Sequence, residues 1–581
     1  MFRIKLALMT ALLTWSTVSL AKDIEWPIYG GDIYHHRHSP AIQVDPVNVR
    51  ALRPAWTFDS GISAAFQATP VVVDGVMYLS LPYNHVVALD ATNGKQLWRY
   101  EHQLVADHQS CCGPANRGVA VADGKVFMGT IDARLIALDA DDGSVIWDRD
   151  VVGENRGIQE ETDGIGEQFG EATGTSGVGI NMAPVIYDGK VIIGITGVGY
   201  GLHLDAPDAD APLGAVVGIA GEYGRMGFLA AFDMNNGKKV WQFDTIRHKN
   251  WQGEFTAVTE DGVNLPRDIA TEKATLADHQ DAWRYGGGSA WSTPVIDKHT
   301  GILHFGTGNP SPQMEGSSRP GDNLYTSSLL AVDASTGAYR WHYQQVPHDN
   351  WGYDVASPPV LFNITVNGQP VPAIGQAGKT GWFYVHDRRN GRFLYKSEAF
   401  VPQHNMFTLP TQDGNLLYPG VLGGANWSPV ALDENKRRVY IAAVHWPVEY
   451  KLHERPAADG KPAQKYSSMA PVDAKQSYGL LTAINIDTGK IVWQHQSDNP
   501  LIGGVLSTEG GLVFTGEGKG ELMAFDADNG EKLWAGKTQA GVNAPPITYQ
   551  IDGKQYIAVA AGGNKLFGYP TGQKLQVWAL P

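Results

Sequence analysis

The chain has 581 residues, 43% of them apolar, with 68 Gly, 17 Trp and 23 Tyr and a formal charge of −15 at pH 7. That acidity, with no clustered stripe of Lys and Arg, excludes a phosphate-binding nucleic-acid surface and disfavours anionic membranes. Glycine and aromatics in place of long Ala, Leu, Glu and Lys stretches at helical spacing point to strands and turns around one large core.

At the start of the chain, Arg3 and Lys5 precede the apolar run Leu6 to Leu13, and Ser19-Leu20-Ala21 follows. This pattern predicts a signal peptide cleaved near Ala21, with residues 22–581 forming a single domain exported to the periplasm. The run is shorter than the ~20 residues of a membrane span, and no later stretch reaches that length.

One phrase then recurs, from Ala88 to Trp98, Ala137 to Trp147, Ala231 to Trp241, Ala331 to Trp341, Ala483 to Trp493 and Ala524 to Trp534. A degenerate copy runs from Val385 through Asp387 and Gly391 to Tyr395, and Trp56 ends a strand upstream, which makes eight aromatic endpoints. Each copy is an alternating strand, an Asp-x-x-x-Gly turn and a second strand ending in a large ring, the pattern of a tight hairpin. Thr69-Pro, Ala183-Pro, Thr293-Pro and Ser428-Pro open further strands ahead of the copies. Four-stranded sheets bury both faces only by stacking. Radial stacking gives an all-β, eight-bladed β-propeller with a Trp wedged between neighbouring blades. Endpoint intervals of 42, 49 and 41 residues fit bare blades, whereas those of 94, 100 and 98 carry insertions. Insertions gather on one rim, which places the chemistry within residues 148–480.

The only cysteines, Cys111 and Cys112, are adjacent. Their Cα atoms lie about 3.8 Å apart across a trans peptide, below the usual ~4.4–6.8 Å of bridged cysteines, so a disulfide between them is strained and closes almost no loop. Export favours such a bond, and two reduced core cysteines are the other reading. Adjacent thiols without His or Cys at ligand spacing do not form a zinc site.

Cys111-Cys112 followed by Asn116-Arg117-Gly118, on Ala-x-Asp-x-x-x-Gly-x-x-x-Trp repeats, resembles the quinoprotein (PQQ-dependent) alcohol dehydrogenase family. That family includes the bacterial methanol, ethanol and membrane glucose dehydrogenases, and the resemblance runs to the closing Val577-Trp-Ala-Leu-Pro581. It implies pyrroloquinoline quinone (PQQ) with Ca²⁺ or a lanthanide. A Cys111–Cys112 disulfide would cover one face of the quinone and Trp291, in Gly286-Gly-Gly-Ser-Ala-Trp, the other. Arg117 matches a carboxylate-binding arginine. Lys379, in Gln376-Ala-Gly-Lys-Thr-Gly-Trp382, matches a catalytic cation beside the quinone oxygens. Asn426 and Trp427, in Gly423-Gly-Ala-Asn-Trp, resemble further cofactor contacts. Gln67, Asn181 and Ser289 stand where the family usually has Glu, Thr and Thr, and each keeps hydrogen-bonding capacity. Glu222, in Gly221-Glu-Tyr-Gly-Arg-Met-Gly, and Asn309, in Phe305-Gly-Thr-Gly-Asn-Pro, match the metal ligands.

Two positions depart from the family. Its His-Asp-x-Trp-Asp motif ends on the general base, whereas His348-Asp-Asn-Trp-Gly-Tyr-Asp354 puts Gly352 there. Asp354 matches the additional metal-ligating Asp of lanthanide-using members. Either it takes over as base or the site binds without turnover. Ile502 stands where many alcohol dehydrogenases have Trp and, with the acidic insertion around Asp205 to Asp210, implies a pocket wider than one made for methanol. No Cys-x-x-Cys-His haem motif occurs, so electrons pass to a separate acceptor such as a c-type cytochrome, which an acidic surface would attract. The expected activity is oxidation of a primary or secondary alcohol, bulky or polyol. A sugar dehydrogenase of the same family is one alternative; the other is a non-catalytic propeller scaffold of the cell envelope, which needs neither Cys111-Cys112 nor Lys379.

Overall fold

The structure, a computed structural model, describes residues 23–104, 113–153, 172–175, 178–199, 202–204, 224–457, 464–564 and 567–581. Among the described residues, eight sheets of at least four strands succeed one another along the chain, antiparallel except where His38–Ser39 joins one edge in parallel, and no helix is long and apolar enough to cross a membrane. The first sheet sets the pattern with Val71–Val73, Val76–Ser80, Val86–Asp90 and Gln96–Tyr100. Its middle strands, rich in β-branched and large apolar residues, are buried on both faces, while the last strand keeps one ring inside and turns the rest outward. The eighth sheet is closed from both ends of the chain, by Arg53–Asp59 pairing antiparallel to Lys574–Ala579.

The repeated phrase now has a physical meaning at each letter. The alanine lies directly across from the tryptophan on the neighbouring strand, as in Ala88 with Trp98, Ala231 with Trp241 and Ala483 with Trp493, so a small residue leaves room for the ring. Just after it the register slips by one residue, a bulge that turns the strand end. The aspartate closes the turn, its Oδ1 accepting the amide two residues on: Thr92 from Asp90 at 2.8 Å and Asn235 from Asp233 at 2.9 Å. The glycine has positive φ and no side chain because the previous sheet's ring lies on it. A Cβ at Gly143 would fall 2.5 Å from Trp98, at Gly337 2.6 Å from Trp241 and at Gly530 2.6 Å from Trp493. The indole N–H of five copies then donates across to the next sheet, among them Trp98 to Ala140 O at 2.8 Å, Trp147 to Met234 O at 3.1 Å and Trp241 to Ala334 O at 3.1 Å. The degenerate copy does the same with a phenol, Tyr395 donating to Ile486 O.

The core accordingly lies between sheets. Residues of the first and second sheets share one apolar cluster, those of the second and third another, and so on around to a cluster joining the seventh, eighth and first. Insertions lie outside this framework. Residues 245–290 carry the helix Ile269–Ala274, and Asn415–Leu417 pairs with the hairpin Val448–Arg455 and Gln464–Pro471. Both insertions contribute to an apolar cluster with Trp351, Tyr353, Trp427 and Ile502, which locates the site.

Trp241→Ala removes a docked ring and its hydrogen bond, and is expected to cost about 3–5 kcal/mol, read as a lowered unfolding midpoint; Trp241→Phe, which still covers Gly337, loses less.

Candidate functional site

Inner strand ends from several sheets bring the singled-out residues together. Backbone bonds link the first three sheets here: Thr69 N donates to Arg117 O at 3.0 Å, and Arg117 N to Asn181 O at 2.9 Å. Gln67 is buried two residues before Thr69. The Arg117 guanidinium lies 5.0 Å from the centre of the Trp291 ring and 5.7 Å from that of Trp427, and its Nη1 donates to Trp291 O at 3.4 Å. Three-glycine backbone at Gly286 to Gly288 packs directly against Trp251, Ile246 and Asn309 O, and this fixes the segment carrying Ser289 and Trp291 that leads into the strand Val295–Asp297.

Opposite that indole stands a buried charge pair. Asp354 and Lys379 are each 5% exposed, and Lys379 Nζ stands 3.3 Å from Asp354 Oδ1 while donating to Gly352 O at 3.0 Å. Trp291 Nε1 donates to Asp354 Oδ2 at 3.0 Å. The 3.3 Å approach is ion-pair contact without hydrogen-bond alignment, so Oδ1 is left with no hydrogen-bond partner. Gly308 forms the floor of a cradle beside this carboxylate: a Cβ there would lie 3.0 Å from Asp354 Oδ2 and 3.4 Å from both Ser289 Cβ and Trp291 Nε1. Asn309 follows, with Nδ2 engaged by Gly199 O at 3.1 Å and Pro310 O at 2.8 Å, an arrangement that leaves its Oδ1 as the atom offered to a hard cation. Asn426 and Trp427 are buried, brought against Lys379 by Ala425 N donating to Gly378 O at 3.2 Å. Ile502 shares the apolar wall with Trp427. Cys111, Cys112 and Glu222 lie outside the described residues, and among those described no three His, Cys, Asp or Glu side chains gather as a metal cluster.

The base position is closed. Gly352 has φ +78°, and a Cβ on it would lie 2.7 Å from both Gln313 Nε2 and Val421 Cγ2. Asp349 shapes the turn from beneath, its Oδ1 accepting from the amides of Trp351 at 2.9 Å and Gly352 at 3.0 Å. The fully buried Arg319 ties this turn to the loop after Asn309, donating to Pro312 O, Asp349 O and Asn350 Oδ1 at 2.9, 2.6 and 2.8 Å. Gln313, Arg319 and Asp349 were not singled out from the sequence. Gln313 and Arg319 sit in a polar loop with no repeat or motif around them and meet Gly352 and Asp349 far along the chain, whereas Asp349 lies inside the His348 to Asp354 stretch, where only the base position drew notice.

The insertion braces the same loop from outside. Arg267 pairs with Glu272 at 2.6 Å and with Asp322, Glu272 accepts Gly321 N at 3.0 Å, and Gly321 O accepts His348 Nδ1–H at 2.8 Å. Burial opposes ionisation of Glu272, but the Arg267 hydrogen bond overrides it and holds the carboxyl below its ordinary value. Burial, reinforced by Arg319, pushes His348 down to about 3.

The residues present fit a flat polyanionic ring and a hard cation. They supply an indole platform, a guanidinium and an ammonium, an amide oxygen beside a carboxylate, and buried orphan atoms at Asn181 Oδ1, Trp427 Nε1 and Asp354 Oδ1. An all-β architecture with such a site defines a protein that can hold a flat anionic organic group beside a hard cation.

The family described as glucose/ethanol/alcohol dehydrogenase, beta-propeller domain (PQQ), matches residues 26–406 and 401–557. The chain belongs to this PQQ-dependent alcohol dehydrogenase family of quinoprotein oxidoreductases. It is 34% identical over 557 residues to the quinoprotein alcohol dehydrogenase PedH of Pseudomonas putida, covering 92% of this chain and 85% of that protein. It is 33% identical to the quinohemoprotein alcohol dehydrogenase of Comamonas testosteroni, covering 94% and 74%. The crystal structure of the quinohemoprotein alcohol dehydrogenase from Comamonas testosteroni superposes with a TM-score of 0.77 at 29% identity, over 97% of this chain and 81% of that one. A europium-containing methanol dehydrogenase superposes at 0.76 and 26% identity, over 96% and 98%.

Gly352→Asp would force an L side chain into a left-handed conformation and into Gln313 and Val421. A loss of roughly 2–4 kcal/mol in stability, with no gain in activity, is the expected outcome by unfolding and turnover assays. Acid sensitivity follows from His348. Its folded value, about 3, lies below the ordinary 6.5, so between those two the unfolded chain binds a proton that the folded chain does not. Stability therefore falls as pH drops below about 6.5, and thermal unfolding of His348→Gln across this range should show a shallower decline.

Proposed function

We propose that the chain is a periplasmic PQQ-dependent dehydrogenase, an eight-bladed propeller that oxidises a primary or secondary alcohol and passes the electrons to a separate carrier such as a c-type cytochrome. The observation that carries this reading is the buried Asp354 carboxylate, fixed at Oδ2 by the Trp291 N–H and free of hydrogen bonds at Oδ1 beside Lys379. Trp291 orients the carboxylate so that Oδ1 meets the substrate hydroxyl and takes its proton, the role of a general base. Arg117 and Lys379 supply the positive charge that a polyanionic cofactor needs, with Gln67, Asn181, Ser289, Asn426 and Trp427 offering hydrogen bonds and walls, Trp291 one face and a Cys111–Cys112 disulfide the other. Asn309, Asp354 and Glu222 would hold Ca²⁺ or a lanthanide, a choice made open by the europium-containing neighbour. When bound, the quinone supplies a two-electron acceptor and the cation a Lewis acid. The buried apolar walls keep bulk water from the carboxylate. Relatives named as quinohemoproteins support a haem carrier as partner, and the leader-like pattern of residues 1–21 supports the compartment.

The test is reconstitution of purified protein with PQQ and Ca²⁺ or a lanthanide in parallel, followed by alcohol-dependent dye reduction. Asp354→Ala is expected to lower turnover about 10²–10⁴-fold while quinone binding persists. Unchanged rates remove Asp354 as the base, and a wild-type chain that binds no quinone favours the envelope scaffold.

A further inference from the structure

We propose that Gln313 is a substrate-specificity residue: its amide, set in the space beside Gly352, hydrogen-bonds a second hydroxyl of a diol or polyol whose first hydroxyl meets Asp354. The inference rests on the alcohol-oxidising reading above and narrows it to a substrate class. Gln313 is 2% exposed, and its Nε2 lies 2.7 Å from where a Cβ on Gly352 would stand, so the amide fills the volume that a side chain at 352 would take. Its Oε1 is buried with no hydrogen-bond partner. Native proteins rarely leave a polar atom so, since burial strips its water and returns nothing.

The surroundings offer no remedy. Val421 reaches the same point from the other side, and Trp351, Tyr353, Leu422 and Ile502 complete an apolar wall. Nor is the loop free to swing the amide away. Arg319 holds Pro312 O, Ser311 N donates to Gly286 O at 3.1 Å, and Met314 is packed into the wall. Among the described residues no protein group satisfies the amide oxygen, and a ligand hydroxyl is suited to do so. The carbonyl of Gly352, beside the amide, accepts from Lys379 Nζ at 3.0 Å, and that ammonium stands 3.3 Å from Asp354 Oδ1. Gln313, Gly352, Lys379 and Asp354 are thus successive neighbours, and a short diol is the ligand the inference sets between the amide and the carboxylate. An amide is neutral and both gives and takes hydrogen bonds, which suits a hydroxyl better than a carboxylate or an ammonium. A plain alkanol leaves it unsatisfied.

The experiment compares a straight-chain alkanol with the vicinal diol of equal carbon number on the reconstituted holoenzyme. Wild type is expected to favour the diol, and the near-isosteric Gln313→Met to lose roughly tenfold in kcat/KM for the diol, mainly through KM, while the alkanol rate holds. A second readout needs no turnover. Pinacol, which has no carbinol hydrogen to lose, should bind resting holoenzyme about tenfold more tightly than tert-butanol by tryptophan fluorescence, and Gln313→Met should erase the difference. Equal use of alkanol and diol by wild type, or an unchanged ratio in a Gln313→Met protein that melts like wild type, overturns the inference and leaves alcohol oxidation standing. Wild type that binds PQQ yet oxidises neither alcohol overturns the alcohol-oxidising reading and this inference with it.

Discussion

An indole can lie flat against a polypeptide backbone only where no Cβ intrudes, and the molecule repeats that constraint from sheet to sheet. Trp56 on Gly94, Trp98 on Gly143, Trp147 on Gly237, Trp241 on Gly337, Trp341 on Gly391 and Trp493 on Gly530 are one contact made six times, with Tyr395 on Gly489 as the phenolic version. Each ring fixes the approach of its own sheet to the next, since its face meets a turn and, for the five indoles from Trp98 to Trp493, its N–H meets a carbonyl. Rigid docking at the outer edge also settles where the inner strands begin. Side chains as distant in sequence as Arg117, Trp291 and Asp354 therefore meet without any local device to join them.

What they meet around is costly. Removing a carboxylate and an ammonium from water carries a penalty that their mutual attraction seldom exceeds, and apolar replacements of such pairs are often neutral or stabilising. Asp354 and Lys379 are therefore poorly explained by stability, and the more so because Oδ1 is left without a hydrogen bond. A second buried group of charges, Arg267 with Glu272 and Asp322, differs in kind. There the carboxylates accept from several donors each, including backbone amides, and the result is a brace between the insertion and the loop carrying His348. The satisfied network holds the loop in place. The incompletely satisfied pair faces the space the loop encloses.

The framework was legible in the sequence because its rule is local: an alanine opposite a tryptophan, an aspartate closing a turn and a glycine under a ring all fall within an eleven-residue phrase. The long intervals correctly marked insertions, and these supply the helix at Ile269–Ala274 and the hairpin beyond Val448 that wall the site. Family resemblance named Arg117, Trp291, Asn309, Asp354 and Lys379, and the fold gathers them. The contact of Asp354 with both Trp291 and Lys379 could not be read from spacing, because the three residues lie in three separate segments between strands, brought together only by the packing of two neighbouring sheets. Gln313 and Arg319 were illegible for a related reason. A glutamine or arginine in a polar loop is ordinarily solvated, and only packing against a glycine far along the chain makes it otherwise.

That glycine joins what look like separate departures. With Gly at 352 the backbone takes a left-handed turn, held by Asp349 at the amides of residues 351 and 352, and its carbonyl comes to face Lys379. A side chain there would need the space now filled by Gln313 and Val421, and would have to abandon the turn. The absent carboxylate, the intruding amide and the placement of Asp354 are therefore one packing solution. Reverting a single position cannot restore a different one, because the backbone conformation that excludes a side chain at 352 also aims its carbonyl at the ammonium beside Asp354.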